Sequence, residues 1–338
     1  MTGDGFGPSP NPSPADRGGG FAAVYQNREE WNVTRDFRQI EWDQFVEDDC
    51  RALVRLAVRE DLEREQDWTT VALVPADREG AAHMVTREPG VVAGMPAVAT
   101  VLDEMQAQVD VALAVADGDV VPANTRLATL RGNVRDLLTC ERTLLNLVGR
   151  LMGIATLAQA YAEQVRETSA RVYDTRKTTA GWRWLEKYAV RCGGACNHRT
   201  GLYDGILIKD NHLAQSGPGA EEAADAVRRV RQFAKDYQGP EQLADLLIEV
   251  EVDTLEQLAA VLPTGPDLVL LDNMPLEMLR QAVEMRDAQA PQIELEASGG
   301  VRLETLREIA SSGVDRISVG ALTHSARSLD IGLDWQRG

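Results

Sequence analysis

Four apolar runs in the second half of the chain end on residues that can do chemistry. LLIEV runs into Glu251, DLVLL into Asp272, IELEA into Ser298 with Gly299 and Gly300 behind it, and DRISV into Gly320. The intervals are 21, 26 and 22 residues, about one strand-plus-helix unit each. Carboxylates such as Glu251 and Asp272 suit a hard cation or vicinal hydroxyls. Each could equally cap the helix after it, and Pro275 near a helix start fits capping at Asp272. Backbone N–H groups at Ser298-Gly299-Gly300 and at Gly320-Ala321 suit a phosphate, because glycine lets the main chain come close to an anion.

A second set of candidates lies upstream. Between Arg171 and Asp210 stand Arg171, Arg176, Lys177, Arg183, Lys187, Arg191, Arg199 and Lys209 against Asp174, Glu186, Asp204 and Asp210, with His198 in addition. This local excess of about four positive charges sits in a chain whose formal net charge is −18. Arg176 and Lys177 follow the run RVYD, His198-Arg199 lie in a turn-like stretch, and Lys209 ends GILI. Arginine grips carboxylate and phosphate with a fork, and lysine acts as a movable point charge. The set predicts a substrate carrying both groups. Arg171, Arg183 and Lys187 are expected to be a solvated face.

These residues need a scaffold that brings strand ends together. RVYD, GILIK, LLIEVE, DLVLLD, IELEAS and DRISVG alternate with helical patterns near 219–237, 254–261, 275–286 and 303–312. Apolar strands alternating with helices signal a parallel sheet, and six or seven units fit an incomplete barrel whose C-terminal strand ends share one mouth. Upstream, 41–65 reads as an amphipathic helix with Phe45, Val46, Leu53, Val54, Leu56 and Ala57 near one face. Residues 81–132 read as short strands with one helix over 96–105. Asn133 then caps a long helical region to about 168 that breaks near Gly153. The expected class is α/β: an N-terminal α/β sandwich over 36–150, joined by 325–338, and an open α/β barrel over 151–324. Residues 1–35, rich in Gly, Pro and Ser, are expected to form a disordered or extended tail.

With 53 acidic against 35 basic side chains, nucleic acid is a poor partner. No apolar run approaches the roughly 20 residues that span a bilayer, and the N-terminus lacks a secretory pattern, so a cytoplasmic location is expected. Cys192 and Cys196 lie close to His198, but their spacing is not that of a zinc pair. Reduced, partly buried thiols are expected there, and at Cys50 and Cys140.

DTRKTTAG (174–181), EKYAVRCGGACNHRTGLYDGILIKDNH (186–212), EVEVDT (249–254), LLDNMP (270–275), EASGGV (296–301) and ISVGALTHSA (317–326) closely resemble the quinolinate phosphoribosyltransferases. LTCERTLLNLVGRLMGIAT (138–156) belongs to the same resemblance. VREDLEREQDWTT (58–70) matches more loosely, lacking the glycines usual between its acidic pair and Thr-Thr. The resemblance implies transfer of a phosphoribosyl group to quinolinate with decarboxylation, in de novo NAD synthesis, with Mg²⁺. It implies a homodimer or larger homo-oligomer with a shared site. It implies that Arg142 from the neighbouring subunit, Thr175, Arg176, Lys177, His198, Arg199 and Lys209 hold quinolinate. It further implies that Glu251 and Asp272 hold the ribose and Mg²⁺, and that Ser298, Gly299, Gly300, Gly320 and Ala321 cradle the 5′-phosphate. Lys177, Lys209, Glu251 and Asp272 are the expected catalytic residues. Trp31, Trp42, Trp182 and Trp184 are not part of the pattern, and Trp182 and Trp184 are expected to pack against the barrel. Three rival readings remain: a related enzyme using another pyridine carboxylate, a non-catalytic phosphosugar-binding protein, and an aldolase with Lys209 as Schiff base.

Overall fold

The computed structural model describes residues 36–216, 222–237 and 243–336; the expected tail over 1–35 lies outside them. Asp43 opens the first helix, α1 (Gln44–Leu62), by accepting the N–H groups of Phe45 and Val46, donors that helix geometry leaves without a partner. Val46, Cys50 and Val54 form its buried stripe. Phe45 and Leu56, expected on that face, are exposed, because the buried stripe is narrower than the apolar content allows.

Then follow α2 (Trp68–Leu73), β1 (Glu79–Thr86), β2 (Gly90–Val91), α3 (Met95–Glu104), β3 (Val109–Leu113), β4 (Val120–Val121) and β5 (Arg126–Asn133). The last strand, β12 (Ile331–Trp335), returns to pair antiparallel with β1, giving a four-stranded sheet in the order β12-β1-β5-β3.

Asn133 caps α4 (Val134–Val165) by accepting the N–H of Arg135. This helix is unbroken through Gly153, contrary to the expected interruption. The glycine serves close approach instead. A Cβ at Gly153 would lie 1.8 Å from the carbonyl oxygen of Arg327, and one at Gly149 would lie 2.8 Å from that of Leu329. Four residues apart, the two glycines share one helix face, and the segment leading to β12 crosses in the groove they leave.

The parallel half comprises β6 (Arg171–Tyr173), α5 (Arg183–Cys192), β7 (Ile206–Ile208), α6 (Asp210–Gln215), α7 (Ala223–Asp236), β8 (Ile248–Val252), α8 (Leu255–Val261), β9 (Leu268–Asp272), α9 (Leu276–Gln289), β10 (Glu294–Ser298), α10 (Leu303–Ala310), β11 (Arg316–Ser318) and α11 (Ala321–His324). Its six strands run parallel in the order β6-β11-β10-β9-β8-β7. The order does not close on itself, so the barrel is open. The sequence pattern did not single out α5. Its buried residues include Glu186 and Lys187, so its inner face does not look apolar.

Candidate active site

Successive strand residues point to opposite faces. On β8, Val250 and Val252 are buried among the core apolar residues, whereas Glu249 and Glu251 lie on the other face. On β10, Glu294, Glu296 and Ser298 share a face; on β9, Asp272 does so with Leu268 and Leu270. In register, Glu251 pairs with Leu270 and Asp272 with Ser298. Three levels of polar groups result along the interior.

The lowest level joins Glu294 to the fully buried Arg316 and, at 3.2 Å, to Arg171. Arg316 also lies over the Tyr173 ring, 4.7 Å from its centroid. The middle level is His198, whose Nε2 is 3.0 Å from Glu249 and 3.6 Å from Glu296. All three are buried. Burial by itself would depress the imidazole pKa, but the Glu249 and Glu296 charges outweigh it and hold the pKa above its ordinary value. Burial first, and then the Glu249 charge, pushes Glu296 up to about 7.

The upper level holds the strand-end candidates. The Lys209 ammonium pairs with the Glu251 carboxylate. Asp272 does not cap a helix: Pro275 is the residue before α9, and the Asp272 carboxylate instead accepts from Asn273 Nδ2 at 2.7 Å. Asn273 has a left-handed backbone (φ +53°) and donates its N–H to Ser298 O at 2.9 Å. Gly299 sits against it. With φ +93°, its Cβ would be 2.2 Å from Asn273 Oδ1. Asn273 therefore joins the carboxylate end of β9 to the glycine turn after β10.

Lys177 reaches the same end of the sheet from the other side. A Cβ on Gly320 would lie 3.1 Å from Lys177 Cδ, and Thr323 Oγ1 donates to the Lys177 carbonyl at 2.9 Å. The Lys177 N–H in turn donates to Thr175 Oγ1 at 3.1 Å. Gly320 precedes α11, and Ala321 is its first residue. The structure thus brings Lys177 to the Gly320-Ala321 turn, and Lys209 to Glu251.

Arg176 and Arg199 form the cationic part. Arg199 is buried, and its guanidinium donates to Gly205 O at 3.4 Å. Burial, followed by the Arg176 charge, lowers its pKa, so the two like charges lie close. Arg176 Nε is buried with no hydrogen-bond partner among the described residues. Neighbouring cations with unspent donors are the arrangement a bound polyanion would complete. Arg142 is placed elsewhere, exposed on α4, with no ion pair or hydrogen bond to this set.

A buried frame that the sequence pattern missed holds these loops. Lys187, expected to be solvated, is fully buried. It donates to Asp174 and, at 2.7 Å, to the His198 carbonyl. Asp174 also accepts from Asn197 Nδ2 and from the His198 N–H, each at 2.8 Å. Glu186 accepts from Arg150 at 2.7 Å and from Thr179 N at 3.0 Å. Arg183 donates to Thr178 Oγ1 and to the Thr200 carbonyl, both at 3.1 Å. Trp182 and Trp184 pack beside the core, and Arg38 lies over the Trp184 ring at 5.3 Å. A signal for Glu249 and Glu296 was present: IEVEV and ELEA put carboxylates at period two in strands that a parallel sheet buries on both faces.

Glu251 and Asp272 supply oxygen donors only, at partly exposed strand ends. That chemistry fits a hard cation such as Mg²⁺, which retains water and shares phosphate ligands. His198, Glu249 and Glu296 also offer ligand atoms within 4.8 Å of one another. There His198 Nδ1 accepts the Arg199 N–H at 2.8 Å. A metal on Nε2 would need the ring hydrogen on Nδ1, facing that donor, so the cluster does not fit a metal. None of the four cysteines forms a disulfide among the described residues. Burial pushes the thiols of Cys50, Cys140 and Cys192 up to about 12, so they stay protonated at neutral pH.

Comparison with known proteins completes the picture. Residues 154–334 match the family model described as the quinolinate phosphoribosyl transferase C-terminal domain, and 67–152 match its N-terminal domain. The chain is 49% identical over 290 residues to a Mycobacterium leprae protein named nicotinate-nucleotide pyrophosphorylase (carboxylating), covering 85% of this chain and 97% of that one. A Bacillus subtilis protein, named as a probable enzyme of that kind, is 40% identical over 253 residues, 75% of this chain and 82% of its own. Among solved structures, the Francisella tularensis nicotinate-nucleotide pyrophosphorylase superposes with a TM-score of 0.77 at 32% identity, covering 90% of this chain and all of that one.

Proposed function

The chain belongs to the quinolinate phosphoribosyltransferase family, and from that premise we infer that it transfers the phosphoribosyl group of phosphoribosyl pyrophosphate to quinolinate. The products are nicotinate mononucleotide, pyrophosphate and CO₂, in de novo NAD synthesis. The observation that carries the reading is the division of one sheet end. Cations follow the early strands, and carboxylates and glycines end the late ones.

In this reading Arg176, Arg199 and Lys209 hold the two acceptor carboxylates, with Thr175, Lys177 and His198 around them. Arg142 comes from the neighbouring subunit of a homodimer; its exposure without a partner among the described residues supports that. Ser298, Gly299, Gly300, Gly320 and Ala321 take the 5′-phosphate through backbone N–H groups. Glu251 and Asp272 take the ribose hydroxyls and Mg²⁺, which when bound supplies charge neutralisation to the departing pyrophosphate. The Lys209–Glu251 pair gives these parts an order. An acceptor carboxylate competes for the Lys209 ammonium, and Glu251 is released toward the ribose.

As the C–O bond to pyrophosphate breaks, positive charge grows on the ribose, and Glu251 and Asp272 are the nearby anions that favour it. The pyridine nitrogen attacks the sugar carbon. The now cationic ring accepts the electron pair of the adjacent C–CO₂⁻ bond, CO₂ leaves, and that carbon takes up a proton. Arg176, Arg199 and Lys209 orient the acceptor for both steps.

Among the described residues no helix is long and apolar enough to cross a membrane, and a cytoplasmic location goes with this reading. The test is CO₂ release from quinolinate by purified protein with Mg²⁺ and phosphoribosyl pyrophosphate. Absence of release would exclude the substrate. Mixing Arg142→Ala with Lys209→Ala protein, under proven subunit exchange, should restore part of the activity; no recovery would exclude the shared site.

A further inference from the structure

Every polar atom of His198 has a neighbour within the protein. Its N–H donates to Asp174 at 2.8 Å, and its carbonyl accepts from Lys187 at 2.7 Å. Its Nδ1 accepts the Arg199 N–H at 2.8 Å. That contact leaves the ring hydrogen on Nε2, which faces Glu249 at 3.0 Å and Glu296 at 3.6 Å. Phe37 stacks on the ring with centroids 4.3 Å apart. The same Phe37 packs with Leu247 and Leu268 at the starts of β8 and β9, and comes within 2.9 Å of a Cβ placed on Gly205. It therefore fills the end of the open barrel away from the candidate site.

The carboxylates of Glu249 and Glu296 show the same division of labour from below. They are 1% and 0% exposed, and Ser318 stands beside His198 as a second hydrogen-bonding neighbour of Glu296. A buried charge is costly unless it is paired, and the group both of these face is the Nε2 of His198. Arg176 and Arg199, by contrast, keep donors to spare.

We propose that Glu249, Glu296 and Phe37 are positioning residues for the acceptor pocket, acting through His198, which braces Arg199. This rests on the reading of Arg199 as a quinolinate ligand. The Nε2–H is drawn toward the two carboxylates, Phe37 fixes the ring plane, and Nδ1 then holds the Arg199 backbone so that its guanidinium meets a carboxylate without a search.

The test uses full-length Mg²⁺-loaded enzyme with ¹⁵N-labelled histidine. His198 is assigned by the loss of its signals in a His198→Gln variant. Recorded on the alkaline side, where an imidazole with a raised pKa is neutral, the expected spectrum has an unprotonated Nδ1 and a protonated, slowly exchanging Nε2. Glu249→Gln and Phe37→Leu should speed that exchange and raise the quinolinate KM about tenfold, with the phosphoribosyl pyrophosphate KM within about twofold. A spectrum with the hydrogen on Nδ1 overturns the proposal. So does stoichiometric transition metal that is lost in Glu249→Gln, or a fall in kcat with the quinolinate KM unchanged. Wild-type enzyme is assayed alongside. If it does not turn over quinolinate, the acceptor reading fails, and the spectrum still decides the state of the ring.

Discussion

The strand-end level of the barrel and the frame buried beneath its loops use the same residue types in opposite ways. At the strand ends, the Lys209 side chain is 41% exposed and pairs with Glu251, which is 12% exposed. Lys187, from the same basic segment of the sequence, is fully enclosed with Asp174. The partly exposed pair is cheaper to separate, because water reaches the Lys209 end and shares the cost. The buried pair is not, since each lone charge would be stranded. One pair is open to water on one side, and the other is shut off from it.

The largest expected effect breaks the buried frame. Lys187→Met leaves Asp174 buried and without its counter-charge, and should lower the unfolding free energy by about 3–5 kcal/mol. Urea unfolding measures this. Pairing it with Asp174→Asn should recover part of the loss, and a double variant no better than the single one would count against the ion pair.

The matching change above is Lys209→Ala. It should reduce kcat/KM for quinolinate by on the order of 10²–10³-fold while stability stays within about 0.5 kcal/mol. If stability fell as far as in Lys187→Met, the contrast between the levels would collapse.

A smaller effect comes from pH. Glu296 is raised from 4.5 to about 7 by burial and then by Glu249, so the folded state favours its protonated form. Its contribution to stability is therefore complete below the unfolded value near 4.5 and is lost as pH rises through about 7. His198, also raised, acts in the same direction. Glu296→Gln should gain stability relative to wild type as pH rises from about 5 to about 8 in paired unfolding curves. An equal difference at both ends of that range would remove the buried carboxylate from the account. Away from both levels, Gly153→Ala should cost roughly 1–3 kcal/mol, because its methyl meets the Arg327 carbonyl.

The strand-end level was legible in the sequence because each of its polar residues or glycines closes an apolar run. Glu251, Asp272, Ser298 and Gly320 follow apolar runs at intervals of one strand-plus-helix unit. The six parallel strands were legible too, from apolar runs separated by helical patterns. The buried frame was hidden. Lys187 lies in an ordinary helical charge pattern, RWLEKYAVRC, and nothing local marks its face as inward. Gly153 looked like a helix breaker because its reason for being there, the crossing of Arg327, is far away in sequence.

Sequence alone therefore determined the strand rhythm, the cationic and glycine-rich strand ends, and the capping of α4 by Asn133. Those follow from local periodicity and from the chemistry of single residues. Tertiary structure alone decided which charges are enclosed. Burial and pairing depend on what packs across from a side chain: Asp174 opposite Lys187, Glu249 and Glu296 around His198, and Phe37 on the face of its ring. No spacing along the chain encodes those distances.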